Sequence, residues 1–101
     1  MAPLNTLEEF NEERKAFLEG FAANVRRLRA EHKGGALSQT DLFKKADLHR
    51  TEIGRIETAR TEPGLLTLVI LADALGASLD QLVEGLPVPE TRKPAAGRKA
   101  R

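Results

Sequence analysis

Arg50, Thr51 and Arg55 fall within one nine-residue run, RTEIGRIET, that has two isoleucines, Ile53 and Ile56. On a helical wheel at about 100° per residue, the isoleucines centre one face. Thr51, Gly54, Arg55 and Thr58 lie on the opposite face, with Arg50 on its flank. Such a helix can do recognition chemistry. The major groove of B-DNA, about 12 Å wide, admits one α-helix, and arginine there pairs in bidentate fashion with guanine while threonine touches a thymine methyl or a base edge. Gly54 costs roughly 1 kcal/mol in a helix interior and would let the backbone approach a partner closely. Read alone, the same face is equally well an ordinary solvated surface.

The preceding segment, LSQTDLFKKA, weighs on that choice. Gln39 stands beside Ser38 in the first turn of a short helix, where free N–H groups and the helix dipole favour an anion such as phosphate. Lys44 and His49 are weaker phosphate candidates. Helices this short are marginal alone in water. Their pairing is explained if the first clamps a phosphate and positions the second in a groove, the helix-turn-helix arrangement.

Other chemistry finds little support. The chain has no cysteine, and its two histidines, His32 and His49, lack ligand spacing. No metal and no cofactor are expected. His32, near a helix C-terminus, reads as a capping partner. Ser38 and His32 have neither a third orienting group nor a glycine-rich cradle beside them, so no enzyme activity is expected.

The elements that must position these residues are all helical. At 101 residues the chain is long enough for one core. Thr6 with Glu9 forms a capping box, opening a stripe of Leu7, Phe10, Phe17, Leu18, Phe21, Val25 and Leu28 that predicts helix from Thr6 to about Glu31. Gly20 falls on the solvent side of that wheel, where it is either tolerated or splits the segment in two. Ser38 with Asp41 starts the next helix; Leu65 to Leu75 makes a fourth, closed by Gly76; Ser78 with Gln81 caps a short fifth. From Leu86 onward, prolines with lysine, arginine and alanine predict a disordered basic tail. The expected organisation is an N-terminal helical extension over 1–20, a helix-turn-helix domain over 21–85 and the tail over 86–101.

The net charge of +1 is unevenly spread: −3 over residues 1–19, +3 over 20–62, −3 over 63–85 and +4 over 86–101. Two basic zones on an acidic body suggest a polyanion that meets particular surfaces. The longest apolar run is about half a membrane span and the N-terminus lacks a signal-peptide layout. A cytoplasmic protein with no membrane partner is expected.

Taken in fixed register, Arg29, Leu37-Ser38-Gln39, Leu42, Ile53, Ile56-Glu57, Pro63, Thr67-Leu68, Ala72, Leu75-Gly76 and Leu79 resemble the XRE, or phage-repressor-like, helix-turn-helix family over about Phe21 to Leu82. The resemblance implies an all-α, compact five-helix lambda-repressor-like domain that binds double-stranded DNA, commonly as a homodimer on a palindromic operator. It places the phosphate-contacting glutamine at Gln39 and the groove-reading positions at Arg50, Thr51 and Arg55. Phe43 stands where the family usually has alanine, Asp47 where it often has glycine, His49 where it has a serine or threonine cap, and Ala59 where glycine eases the turn. The implied function is a sequence-specific transcriptional regulator, a dimeric repressor; the alternative is an antitoxin-like or adaptor module whose scaffold holds a protein partner.

One further expectation joins the extension to assembly. In the family register Leu66 and Ile70 form an outward apolar spot on the fourth helix. The aromatic stripe with Phe10 and Phe17 is expected to pack on that helix, in its own chain or in a partner subunit.

Overall fold

The computed structural model describes residues 6–90, with side-chain surroundings from Glu8 onward. Five helices follow in order: α1 (Thr6–Ala30), α2 (Gln39–Ala46), α3 (Arg50–Glu57), α4 (Leu65–Leu75) and α5 (Leu79–Leu82), and no strand occurs among the described residues. α1 is one unbroken helix of 25 residues, with Glu8 and Glu9 in its first turn and Arg27 and Arg29 in its last, as the macrodipole favours.

The short helices are bounded by their side chains. Ser38 and Asp41 form a reciprocal capping box on α2, and Ser78 and Gln81 another on α5. Asp47 ends α2 in the left-handed conformation at φ 56°, so the residue replacing the family glycine takes the glycine's geometry. Aspartate tolerates that region better than most residues. Ala59, after α3, does the same at φ 61°, where its Cβ makes the conformation costly. The Arg60 N–H closes this turn by donating to the Arg55 carbonyl at 2.8 Å.

The core gathers one face from each helix. Val25, Leu42, Ile53, Leu71 and Leu82 are completely buried, with Phe21, Leu28, Ile56 and Leu75 around them. Each such side chain contributes about 1.5–3 kcal/mol on leaving water. Asn24 ties the end of α5 to α1 by donating from Nδ2 to the carbonyls of Leu82, at 2.9 Å, and Glu84, at 3.0 Å.

Three expectations change. Gly20 does not face solvent, because Leu86 Cδ2 lies 2.7 Å from where a Cβ at Gly20 would stand. A side chain at this position would have to displace the Leu86 methyl where the chain after α5 crosses α1. For the same reason Leu86 does not begin a free tail: it packs against the core, and the Glu90 N–H reaches Glu13 Oε2 on α1 at 3.3 Å. The basic residues from Arg92 on lie outside the described residues. Finally, Ile70 is not outward. It sits at the flank of the inner face of α4, one turn before buried Ala74, and packs against the core. The outward apolar residues of α4 are Leu65 and Leu66, each 73% exposed, and Val69.

The first half of α1 runs beyond the core, and its aromatic stripe is partly covered within the chain. Phe17, Leu18 and Phe21 border an apolar hollow of about 180 Å³ with Pro63, Leu68 and Val83. Phe10 and Phe17 border a second hollow with Pro89, and Arg14 Nε donates to Glu62 Oε1 at 3.0 Å.

Candidate nucleic-acid interface

α3 owes its position to its inner side. Ile53 and Ile56 are buried, and so is Glu57, at 3% exposure the one charged residue in the core of the described chain. A carboxylate is tolerated there only if paired and hydrogen-bonded. Arg29 of α1 supplies a fork: its Nε donates to Glu57 Oε2 at 2.8 Å and its Nη2 to Oε1 at 2.9 Å. Bidentate pairs of this kind fix direction as well as adding energy. The third Arg29 nitrogen, Nη1, donates to the Leu37 carbonyl at 2.9 Å, and Arg26 Nη1 donates to the Glu57 carbonyl at 2.6 Å. The ends of α1 and α3 and the loop before α2 are thereby joined through one buried carboxylate.

Gln39 belongs to the same network. Its Nε2 donates to Glu57 Oε1 at 2.8 Å, so the amide expected to serve phosphate alone is first committed to the protein. An amide nitrogen carries a second N–H, and the Gln39 residue is exposed; Glu57 holds it in place without consuming it. Beside it, Asp41 caps the helix, and the hydrogen bonds it accepts from the Ser38 backbone N–H and the Ser38 side chain hold its carboxyl below the usual aspartate value.

His49 also differs from expectation. It is a working N-cap: its Nδ1 accepts from the Thr51 N–H at 3.2 Å. Imidazole thus replaces the hydroxyl of a serine cap. A ring accepting at Nδ1 carries its proton on Nε2, which remains a donor. His32 uses Nδ1 in a similar way, accepting from the Gly34 N–H at 3.1 Å in the loop after α1.

The outer side of α3 is open. His49, Thr51 and Arg55 line one shallow polar hollow together with Glu52 and Thr61. His49, Arg50 and Thr51 line another with Phe43, and Lys44 borders a third with Phe43, Asp47, Leu48 and His49. The six residues singled out from sequence are therefore not one cluster. His49, Arg50, Thr51 and Arg55 share the α3 surface, Lys44 adjoins it across the turn, and Gln39 stands apart at the Glu57 end. Arg14, Arg26, Arg27 and Arg29 all bond carboxylates or carbonyls, whereas the Arg55 guanidinium has no hydrogen-bond or ion-pair partner among the described residues. Gly54, on the same side, has nothing within 4 Å of its would-be Cβ.

Sequence reasoning missed the organising pair, Arg29 and Glu57. The signal was available: Glu57 sits on the isoleucine face of α3, where an unpaired charge would be costly. Glu52 and Thr61 were also overlooked, as was the stacking of Arg50 on Phe43, 5.7 Å from guanidinium carbon to ring centroid.

Comparison with known proteins agrees with this geometry. The family model described as helix-turn-helix (HTH_3) matches residues 25–82. No curated protein sequence matches the chain. Among solved structures, the restriction-modification controller protein C.AhdI from Aeromonas hydrophila is similar at 29% identity and a TM-score of 0.59, over 64% of this chain and 94% of that one. The hypothetical transcription factor NHTF from Neisseria is similar at 32% identity and a TM-score of 0.57, over 75% of this chain and 76% of that one. With its two-helix unit, buried Arg29–Glu57 pair and open α3 face lying inside or beside that matched span, the chain belongs to the XRE-type helix-turn-helix family of DNA-binding transcriptional regulators.

Proposed function

We propose that the protein is a sequence-specific regulator that lays α3 in the major groove of double-stranded DNA and acts as a homodimeric repressor on a palindromic operator. The observation that carries this reading is the contrast between the two sides of α3. The inner side is locked by Ile53, Ile56 and the Arg29–Glu57 pair, while the outer side offers the unpartnered Arg55 guanidinium and the exposed Thr51. Arg55 and Thr51 read base edges, Arg50 reads an edge or a neighbouring phosphate, and Gln39, Lys44 and His49 meet phosphates. A two-fold dimer sets its two recognition helices roughly 34 Å apart, one turn of DNA. The likeness to a restriction-modification controller and to a transcription factor supports the regulatory part.

The test is binding of the purified chain to the DNA upstream of its own gene across a salt series, with footprinting. Phosphate contacts release counterions, so affinity should fall steeply with salt. Arg55→Ala should cost about 1–3 kcal/mol and relax preference at one operator position. Equal weakening on all sequences would make Arg55 a phosphate anchor. Gln39→Ala should weaken specific and non-specific binding alike.

The second reading is an adaptor or antitoxin-like module with a protein partner, for which the exposed apolar strip Leu65, Leu66 and Val69 on α4 offers a surface as well as it does for a second copy of the chain. Affinity for DNA that is absent, or indifferent to salt, would favour that reading.

A further inference from the structure

Phe43 is the only aromatic residue outside α1, and it stands on the surface where α2 meets α3. Its ring has two different surroundings. It packs against the core on one side, and the Arg50 guanidinium lies over it at 5.7 Å from the centroid. That distance is within the range at which a cation is attracted to a ring face. Arg50 is the first residue of α3, where the positive end of the helix dipole disfavours a cation. No acidic side chain pairs with Arg50 among the described residues. Among the described residues the Phe43 ring is the group that lies against this guanidinium, and both residues border the same hollow with His49 and Thr51.

We infer that Phe43 is a positioning residue for base recognition: its ring fixes the Arg50 guanidinium at the α2–α3 turn, and so decides which base step Arg50 addresses. The inference rests on the reading that α3 enters the major groove. Phe43 acts through Arg50 and need not touch DNA. A free arginine at the start of α3 would sample many rotamers and choose poorly among neighbouring acceptors, whereas one biased toward a ring face gives up part of that freedom before DNA arrives.

The experiment compares the full chain with Phe43→Leu, which keeps apolar bulk for the core but removes the ring face, with Phe43→Tyr, which keeps the face, and with Arg50→Ala. Thermal midpoints check that each variant folds. Binding is measured on a library of operator variants at one salt concentration. Phe43→Leu should lose about two- to five-fold of selectivity, at the base pairs where Arg50→Ala loses it, with an unchanged salt slope. The double variant should lose no more than Arg50→Ala alone, and Phe43→Tyr should retain selectivity. In the free protein, the Arg50 side-chain protons should be shifted upfield by the ring current and return to ordinary positions in Phe43→Leu. Losses that add to those of Arg50→Ala, or that fall at other base pairs, would make Phe43 a direct DNA contact and overturn the inference; so would absence of the ring-current shift. If the ring-current shift is present but the unsubstituted protein does not bind DNA, the groove reading fails, and the role in base recognition fails with it.

Discussion

Gly54 stands in the middle of α3 with open space where a side chain would begin. A glycine in a helix interior is less stable than alanine by roughly 0.5–1 kcal/mol, and nothing among the described residues crowds a side chain here. Gly54→Ala should therefore raise stability by about that amount, seen as a thermal midpoint higher by a few degrees. If the α3 backbone approaches DNA closely, the same substitution should weaken binding. A variant more stable and equally tight in binding would show that the backbone stays clear of the groove. The outward residues Arg50, Thr51 and Arg55 were legible in the sequence because two isoleucines three apart fix which side of a short helix is buried. The contacts of Glu57 and Phe43 were not. Glu57 meets residues 28 and 18 positions away in the chain, and Phe43 meets Arg50 only because of the angle the turn imposes.

Between elements, the Glu57 carboxylate does what apolar packing alone would do less directionally. Removing one partner of a buried pair leaves the other uncompensated, a loss of about 3–5 kcal/mol. Arg29→Ala should lose stability toward the lower end of that range, since the Arg29 side chain is 20% exposed. Replacing both partners by apolar residues, Arg29→Met with Glu57→Leu, should recover most of the stability. It should not recover DNA affinity, because Gln39 would have lost the carboxylate that holds its amide. Recovery of both would reduce the network to packing. Acid provides a separate check on α2. Asp41 has a lowered folded value, so its contribution to stability is complete above the ordinary aspartate value of 3.8 and is lost as pH falls through the lowered one. In Asp41→Asn, this group's share of the acid dependence should disappear. The helices were legible from caps and apolar spacing. Their ends at Asp47 and Ala59 were legible as departures from glycine, and the left-handed conformation both adopt is what the glycine would have supplied. His49 read as a departure from the serine or threonine cap because its ring nitrogen was not counted as an acceptor for the Thr51 N–H.

Over the whole molecule, the N-terminal half of α1 and the outward side of α4 turn out to be separate surfaces with separate demands. All-helical architecture was legible. The return of residues 86–90 along α1 was not, because Leu86 lies beside prolines that read as a loop. That return and the Arg14–Glu62 pair hold the extension within its own chain. The pair is exposed and contributes little by itself; Phe17 borders one apolar hollow with Pro63 and Leu68, and Phe10 and Phe17 border another with Pro89. The strip Leu65, Leu66 and Val69 receives no such cover among the described residues. Exposed apolar patches of this sort mark contacts, and a two-fold interface uses the same patch on both subunits. The proposed homodimer is accordingly expected to close on α4, while the aromatic stripe, for which its own chain or a partner subunit was expected, meets Leu68 and Pro63 of its own chain. Leu66→Glu should give a folded monomer by sedimentation, because the side chain is already 73% exposed and the fold loses little. Its affinity for a full palindrome should drop toward that for a half-site. Deleting residues 1–18 should lower the thermal midpoint, by uncovering Pro63 and Leu68, yet leave the dimer intact. The reverse pattern, a dimeric Leu66→Glu and a monomeric truncation, would move the interface to the extension.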